Sequence, residues 1–157
     1  MCFKNRMLAT IAFATLTVGL VSSSRPVLAV SDCQKVKGHE TVVDNGNGTA
    51  SGTFTEAGKL NGRSLNVFTS DFTPTPDPNV FSFTDNLTLT TNEGVLQTHN
   101  VTLSDVAKGL YSAIARIDPD TSTGDFAGAT GVLYFNGNTT DFVTFQGEIT
   151  GEICFAN

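Results

Sequence analysis

VTFQGEITGEICF, residues Val143 to Phe155, alternates almost to its end. The odd positions read Val143, Phe145, Gly147, Ile149, Gly151, Ile153 and Phe155, while Thr144, Gln146, Glu148, Thr150 and Glu152 fall between them. Successive side chains of a strand point to opposite faces, so this pattern predicts one long strand with an apolar face and a wet face. Glycine on the apolar face suits a strand that bends around a barrel and leaves room for a large neighbour.

The same signal recurs upstream. Phe81, Phe83, Leu87 and Leu89 share a face opposite Ser82, Thr84, Asn86 and Thr88, and Asp85 interrupts the apolar side. Leu133 and Phe135 alternate with Val132 and Tyr134, and Leu65 to Phe72 reads as a further, mixed strand. Thr41–Val43 and Thr49–Thr55 flank Asp44-Asn45-Gly46-Asn47-Gly48, whose two Asn-Gly steps predict a hairpin. Thr73-Pro74-Thr75-Pro76-Asp77-Pro78 reads as an extended connection. Residues 104–117 carry two readings. Val106, Leu110, Ile114 and Ile117 fit one side of a helix capped by Ser104. A strand over Tyr111–Ile117 is preferred, because Gly109 weakens a helix by about 1 kcal/mol relative to Ala.

Gly124 to Gly137, GDFAGATGVLYFNG, raises the question of a phosphate loop. Such a loop needs a helix after it and, in the P-loop form, a Gly-Lys-Ser/Thr ending. Here the β-forming run Val132-Leu133-Tyr134-Phe135 follows, and no lysine occurs beyond Lys108. These glycines are read as turn and strand-entry residues. The segment Thr123-Gly124-Asp125-Phe126-Ala127-Gly128-Ala129-Thr130-Gly131 resembles the G-x-F-x-G-A-x-G signature of allene oxide cyclase-like and dirigent-like barrels. Small secreted bacterial proteins of unknown role carry a similar C-terminal half. The likeness spans about residues 109–153. It implies an all-β fold, an antiparallel eight-stranded barrel of the calycin-like kind with a central apolar cavity. No catalytic residue carries over by motif.

Lys4 and Arg6, the apolar run Met7–Val21 and the small residues of Val27-Leu28-Ala29 read as a signal peptide cleaved after Ala29. The run is shorter than the ~20 residues needed to span a bilayer. Aspartate at 32, directly before Cys33, argues against a lipidated cysteine. The expected organisation is a signal over 1–29 and one barrel domain over 30–157, secreted or periplasmic and free of the membrane after cleavage. That domain keeps six basic side chains against fifteen acidic ones, a net charge of −9. Lys35, Lys37, Lys59, Arg63, Lys108 and Arg116 are scattered singly, so nucleic acid is not an expected partner. Cys33 and Cys154 are its two cysteines, and in an oxidising compartment they are expected to pair.

Motifs for chemistry are sparse. His39 and His99 have no ligand-spaced neighbours and read as solvent-facing. No serine sits in a Gly-x-Ser-x-Gly elbow. Asp118 to Asp125 has oxygens spaced like a calcium loop, but Gly124 comes one position late and Ala129 stands where the bidentate glutamate belongs. An Asx turn is the preferred reading. Asn-x-Thr sequons occur at Asn47, Asn86, Asn100 and Asn138. No metal or cofactor is expected. Three functions are consistent with these observations: a binding protein for a small apolar molecule, a structural protein with a filled barrel, and an isomerase of the kind the resemblance implies. Candidate cavity residues are Phe81, Phe83, Asp85, Tyr111, Phe135 and Phe145, with Asp85 and Tyr111 as the polar groups an isomerase would need.

Overall fold

A computed structural model describes residues 32–156. The segment expected as a signal peptide lies outside these residues. Ten strands follow in chain order: β1 (Asp32–Asp44), β2 (Thr49–Thr55), β3 (Gly62–Phe68), β4 (Thr73–Pro74), β5 (Val80–Thr91), β6 (Gly94–Asp105), β7 (Leu110–Ile117), β8 (Thr123–Gly124), β9 (Thr130–Thr139) and β10 (Thr144–Phe155). Eight of them form a closed antiparallel barrel in the order β1-β2-β3-β5-β6-β7-β9-β10, and β10 pairs back to β1. The two-residue strands β4 and β8 add to the edges of β5 and β6 from outside. Every wall strand thus neighbours its sequence neighbour, so the chain builds the barrel by successive hairpins. The β1/β2 hairpin turns at the Asn-Gly pairs, with Gly46 and Gly48 at φ of 72° and 80°.

The first and last strands meet over a twelve-pair register from Asp32↔Phe155 to Val43↔Thr144. Cys33 and Cys154 stand directly opposite one another in it and are bonded, with Cα atoms 3.9 Å apart. They lie on the outer face, since Gln34, Val36 and Glu40 occupy the other phase of β1 and the latter two are buried.

In β10, Ile149 and Ile153 are buried, while Gln146 and Glu148 are exposed and Glu152 pairs with Lys35 at 2.6 Å. The alternation therefore gives the correct faces. Val143 departs from it: the strand begins one residue later and Val143 is exposed in the preceding turn. The strand expected at Leu65–Phe72 runs from Gly62 to Phe68 instead, because the chain leaves the wall after Phe68 to form a rim loop. Within the expected connection, Thr73–Pro74 pairs briefly with Ser82 and Phe81. Residues 110–117 are strand, which puts Ala113, Ala115 and Ile117 inside and leaves Leu110 and Ile114 exposed.

One end of the barrel is filled. Val36, Phe54, Leu89, Leu96, Ala115, Leu133, Ile149 and Ile153 form its layers, and Phe126 with Ala129, from the glycine-rich turn, caps them. Ala57 and Leu60, around a single 3-10 turn at Gly58–Leu60, complete the cap. Gly131 has φ 141° and lies against β10 so closely that an added methyl would collide with the Glu152 carbonyl oxygen. The glycine stretch is thus a plug and a strand entry.

Candidate functional site

The other end is open. A cavity of about 220 Å³ enters the barrel there, walled by Phe68, Phe72, Phe83, Phe135 and Phe145, with Phe142 at its edge. Phe83, Phe135 and Phe145 arrive on wall strands β5, β9 and β10. Phe72 and Phe142 come from the loops after β3 and β9 and are 57% and 47% exposed, which places them at the mouth. Phe68, Phe72 and Phe83 form one aromatic cluster with ring centroids 4.7–6.0 Å apart. Phe81, expected here, does not line the cavity. The β3–β5 ladder ends at Phe68↔Asp85, and Phe81 lies four residues beyond that end, paired with Ser104 of β6 on one side and with Pro74 of the outer strand β4 on the other.

Two buried carboxyl groups reach this apolar space, and the half-buried Asp44 also lines it. Asp85, on the inward face of β5, is 3% exposed. Asn66 Nδ2 and Asn100 Nδ2 both donate to its Oδ2, at 2.7 and 2.8 Å, and Thr102 Oγ1 lies 3.5 Å from its Oδ1. The second is Glu40, 8% exposed, on the inward face of β1. It was not among the sequence candidates. Tyr111 O–H donates to Glu40 Oε1 at 2.7 Å.

That contact depends on two glycines. Tyr111, Gly137, Gly147 and Glu40 are ladder partners in one row across β7, β9, β10 and β1. The tyrosine side chain crosses both glycine positions to reach the glutamate. A Cβ on Gly137 would sit 2.6 Å from the tyrosine oxygen, and one on Gly147 would collide with it. Tyr111 also packs edge-on against Phe145, 5.7 Å between centroids.

Burial sets the protonation of the pair. Desolvation is the main cause that pushes Glu40 up to about 7, opposed by the Tyr111 hydrogen bond and reinforced by the charge of Asp85. Asp85 is also raised by desolvation, with its Asn and Thr donors holding it down in part. Tyr111 is raised well above the phenol range by burial and by the neighbouring carboxylate, so it acts as a donor at all ordinary pH. Between about pH 4.5 and 7 the folded chain keeps a proton on Glu40 that the unfolded chain releases. This contribution to stability is therefore complete below the unfolded value and is lost as pH rises through 7.

The remaining sequence motifs stay outside the cavity. His39 faces Glu56 at 3.6 Å, and His99 bonds Asn86 at 2.7 Å and lies 3.4 Å from Asp118, both on the surface. Asp118 forms the expected Asx turn, accepting from Asp120 N–H and Thr121 Oγ1. Of the sequon asparagines, Asn100 is buried in the Asp85 network. Among the described residues the one cluster with metal-ligand spacing is Cys33, Cys154 and Glu152, and its sulfurs are committed to the disulfide.

No family model matches the sequence, and comparison with curated proteins and with solved structures finds no match.

Proposed function

We propose that the protein is an exported binding protein that holds one small, largely apolar molecule in the open end of its barrel. The observation that carries this reading is the phenylalanine-walled cavity of about 220 Å³. An apolar cavity of ~150 Å³ accommodates a benzene ring, and drug-sized ligands take ~300–1,000 Å³. The space therefore suits one ring with a short side chain. An eight-stranded barrel is the size at which the interior fills with side chains or holds one such ligand. The filled-barrel alternative is supported only at the capped end. Export is supported by the Cys33–Cys154 bond, which persists in oxidising compartments. The likeness to allene oxide cyclase-like barrels belongs to the same proposal and is supported by barrel closure alone. An isomerase reading draws on one further observation, the inward Tyr111–Glu40 contact beside Asp85.

The test is a thermal-shift and NMR titration with neutral single-ring compounds. A ligand that binds only the folded chain raises the melting temperature in a saturable way, by RT ln(1 + [L]/Kd) in free energy. Amide and ring shifts are expected to cluster at Phe68, Phe83, Ala113 and Phe135. Ala113→Leu, which fills the cavity from β7, is expected to abolish them while the variant still melts cooperatively. Shifts scattered over the outer face, or unaffected by Ala113→Leu, would contradict the reading.

A further inference from the structure

We propose that the ligand of this cavity is a cation, a small ammonium group carried on an aromatic or short apolar body, with its N–H groups received by Glu40 and Asp85. The inference rests on the reading of the open end as a binding cavity.

The inventory of the lining is one-sided. Glu40, Asp44 and Asp85 are acidic, and none of the residues that line the space is Lys, Arg or His. The donors closest to the two carboxyls are already committed: Tyr111 O–H to Glu40 Oε1, and the amides of Asn66 and Asn100 to Asp85 Oδ2. What remains is acceptor capacity. Glu40 Oε2 has no hydrogen-bond partner among the described residues, although the side chain is more than nine-tenths buried. Asp85 Oδ1 has only the long Thr102 contact.

A buried carboxyl without a cation is costly, and it answers by holding its proton. Both groups are pushed up from the ordinary carboxylate range, with desolvation as the first cause. A bound ammonium supplies the missing charge and the missing donors together. The aromatic walls reinforce the choice, because ring faces attract cations and do so more strongly when the cation is desolvated. An anionic ligand would meet three acids and no basic side chain. A neutral alcohol would supply one donor and no charge. The described chain, with six basic and fifteen acidic side chains, also draws cations towards the mouth.

Three probes that share a phenyl ring and a two-carbon linker decide the matter: 2-phenylethylamine, 2-phenylethanol and 3-phenylpropanoate, titrated calorimetrically into the full disulfide-bonded chain at pH 8. The amine is expected to bind at least ~10-fold more tightly than the alcohol, about the effect of one well-formed charge-assisted hydrogen bond. The carboxylate is expected not to bind. The titratable groups facing the ligand are Glu40, Asp44, Asp85 and Tyr111. With Glu40 near 7, amine affinity is expected to fall roughly tenfold from pH 8 to pH 6, while alcohol affinity holds or rises. This readout uses the unmodified chain and so does not depend on any variant folding. Glu40→Gln, checked for a cooperative melt, is expected to remove both the amine preference and its pH dependence. An alcohol that binds as tightly as the amine overturns the cation assignment and leaves the binding cavity standing. Failure of all three probes overturns both.

Discussion

Replacing Cys33 and Cys154 together by serine is expected to lower the unfolding free energy by about 2–5 kcal/mol. The bond links residues 121 apart in sequence, nearly the whole described chain. The chain-entropy argument gives about 4.7 kcal/mol for a 100-residue loop, and losing a native disulfide from a small secreted domain costs about 2–5. The native barrel is not held shut by the bond alone, because β1 and β10 remain paired along the whole twelve-residue register. The loss therefore acts through the unfolded chain, which regains the freedom to separate its ends. Urea unfolding of the double variant beside the oxidised parent measures the difference. Amide exchange at the β1–β10 ladder is expected to keep its pattern at uniformly lower protection. A loss below about 1 kcal/mol would show that the unfolded ends are already held together.

Ile149→Ala is expected to cost about 2–4 kcal/mol. Ile149 is fully buried in the filled half, opposite Phe135 of β9 and Gly38 of β1. Truncation removes its transfer free energy and leaves a hole that flanking strands cannot close without breaking their ladders. Its neighbour Glu148 points outward and is exposed, so Glu148→Ala is expected to stay within about 0.5 kcal/mol. Urea melts of the two variants check both, and the opposite ranking would mean that the faces of β10 are inverted.

Where burial and polarity agree, the fold is readable from sequence. The 143–155 alternation gives the inward Ile149 and Ile153, and the Asn-Gly steps give the first hairpin. On β6 the two disagree. Its outward residues include Val101 and Leu103, each about half exposed, while Thr98, Asn100 and Thr102 are buried. An amphipathic reading would turn this strand inside out. The polar column faces inward because Asp85, ladder partner of Asn100, needs hydrogen-bond donors inside the barrel, and Asn100 and Thr102 lie within its reach.

The site was legible in part for the same reason. Phe83, Asp85, Tyr111, Phe135 and Phe145 stand on strands whose faces could be assigned, and all five line the cavity. Glu40 escaped because β1 carries charged or polar groups on both faces: Lys35, Lys37 and His39 outward, Glu40 inward. The period-2 test started at Val36 places Glu40 inside with Val36 and Val42. Phe72 and Phe142 gave no such signal, since their place at the mouth depends on how the rim loops close over the barrel.

The acid-floored cavity is tested most directly by following the Glu40 side-chain carboxyl with 13C NMR from pH 3 to 10, using Glu40→Gln to assign the signal. A carboxyl buried against Tyr111 and Asp85 is expected to titrate at about 7. Over the same range the parent's stability is expected to fall as pH rises from about 4.5 to 7, and this fall is expected to be smaller in Glu40→Gln. A Glu40 carboxyl that titrates at or below the ordinary glutamate value of ~4.3 would contradict the account, because that group would be in water and not buried in the barrel interior.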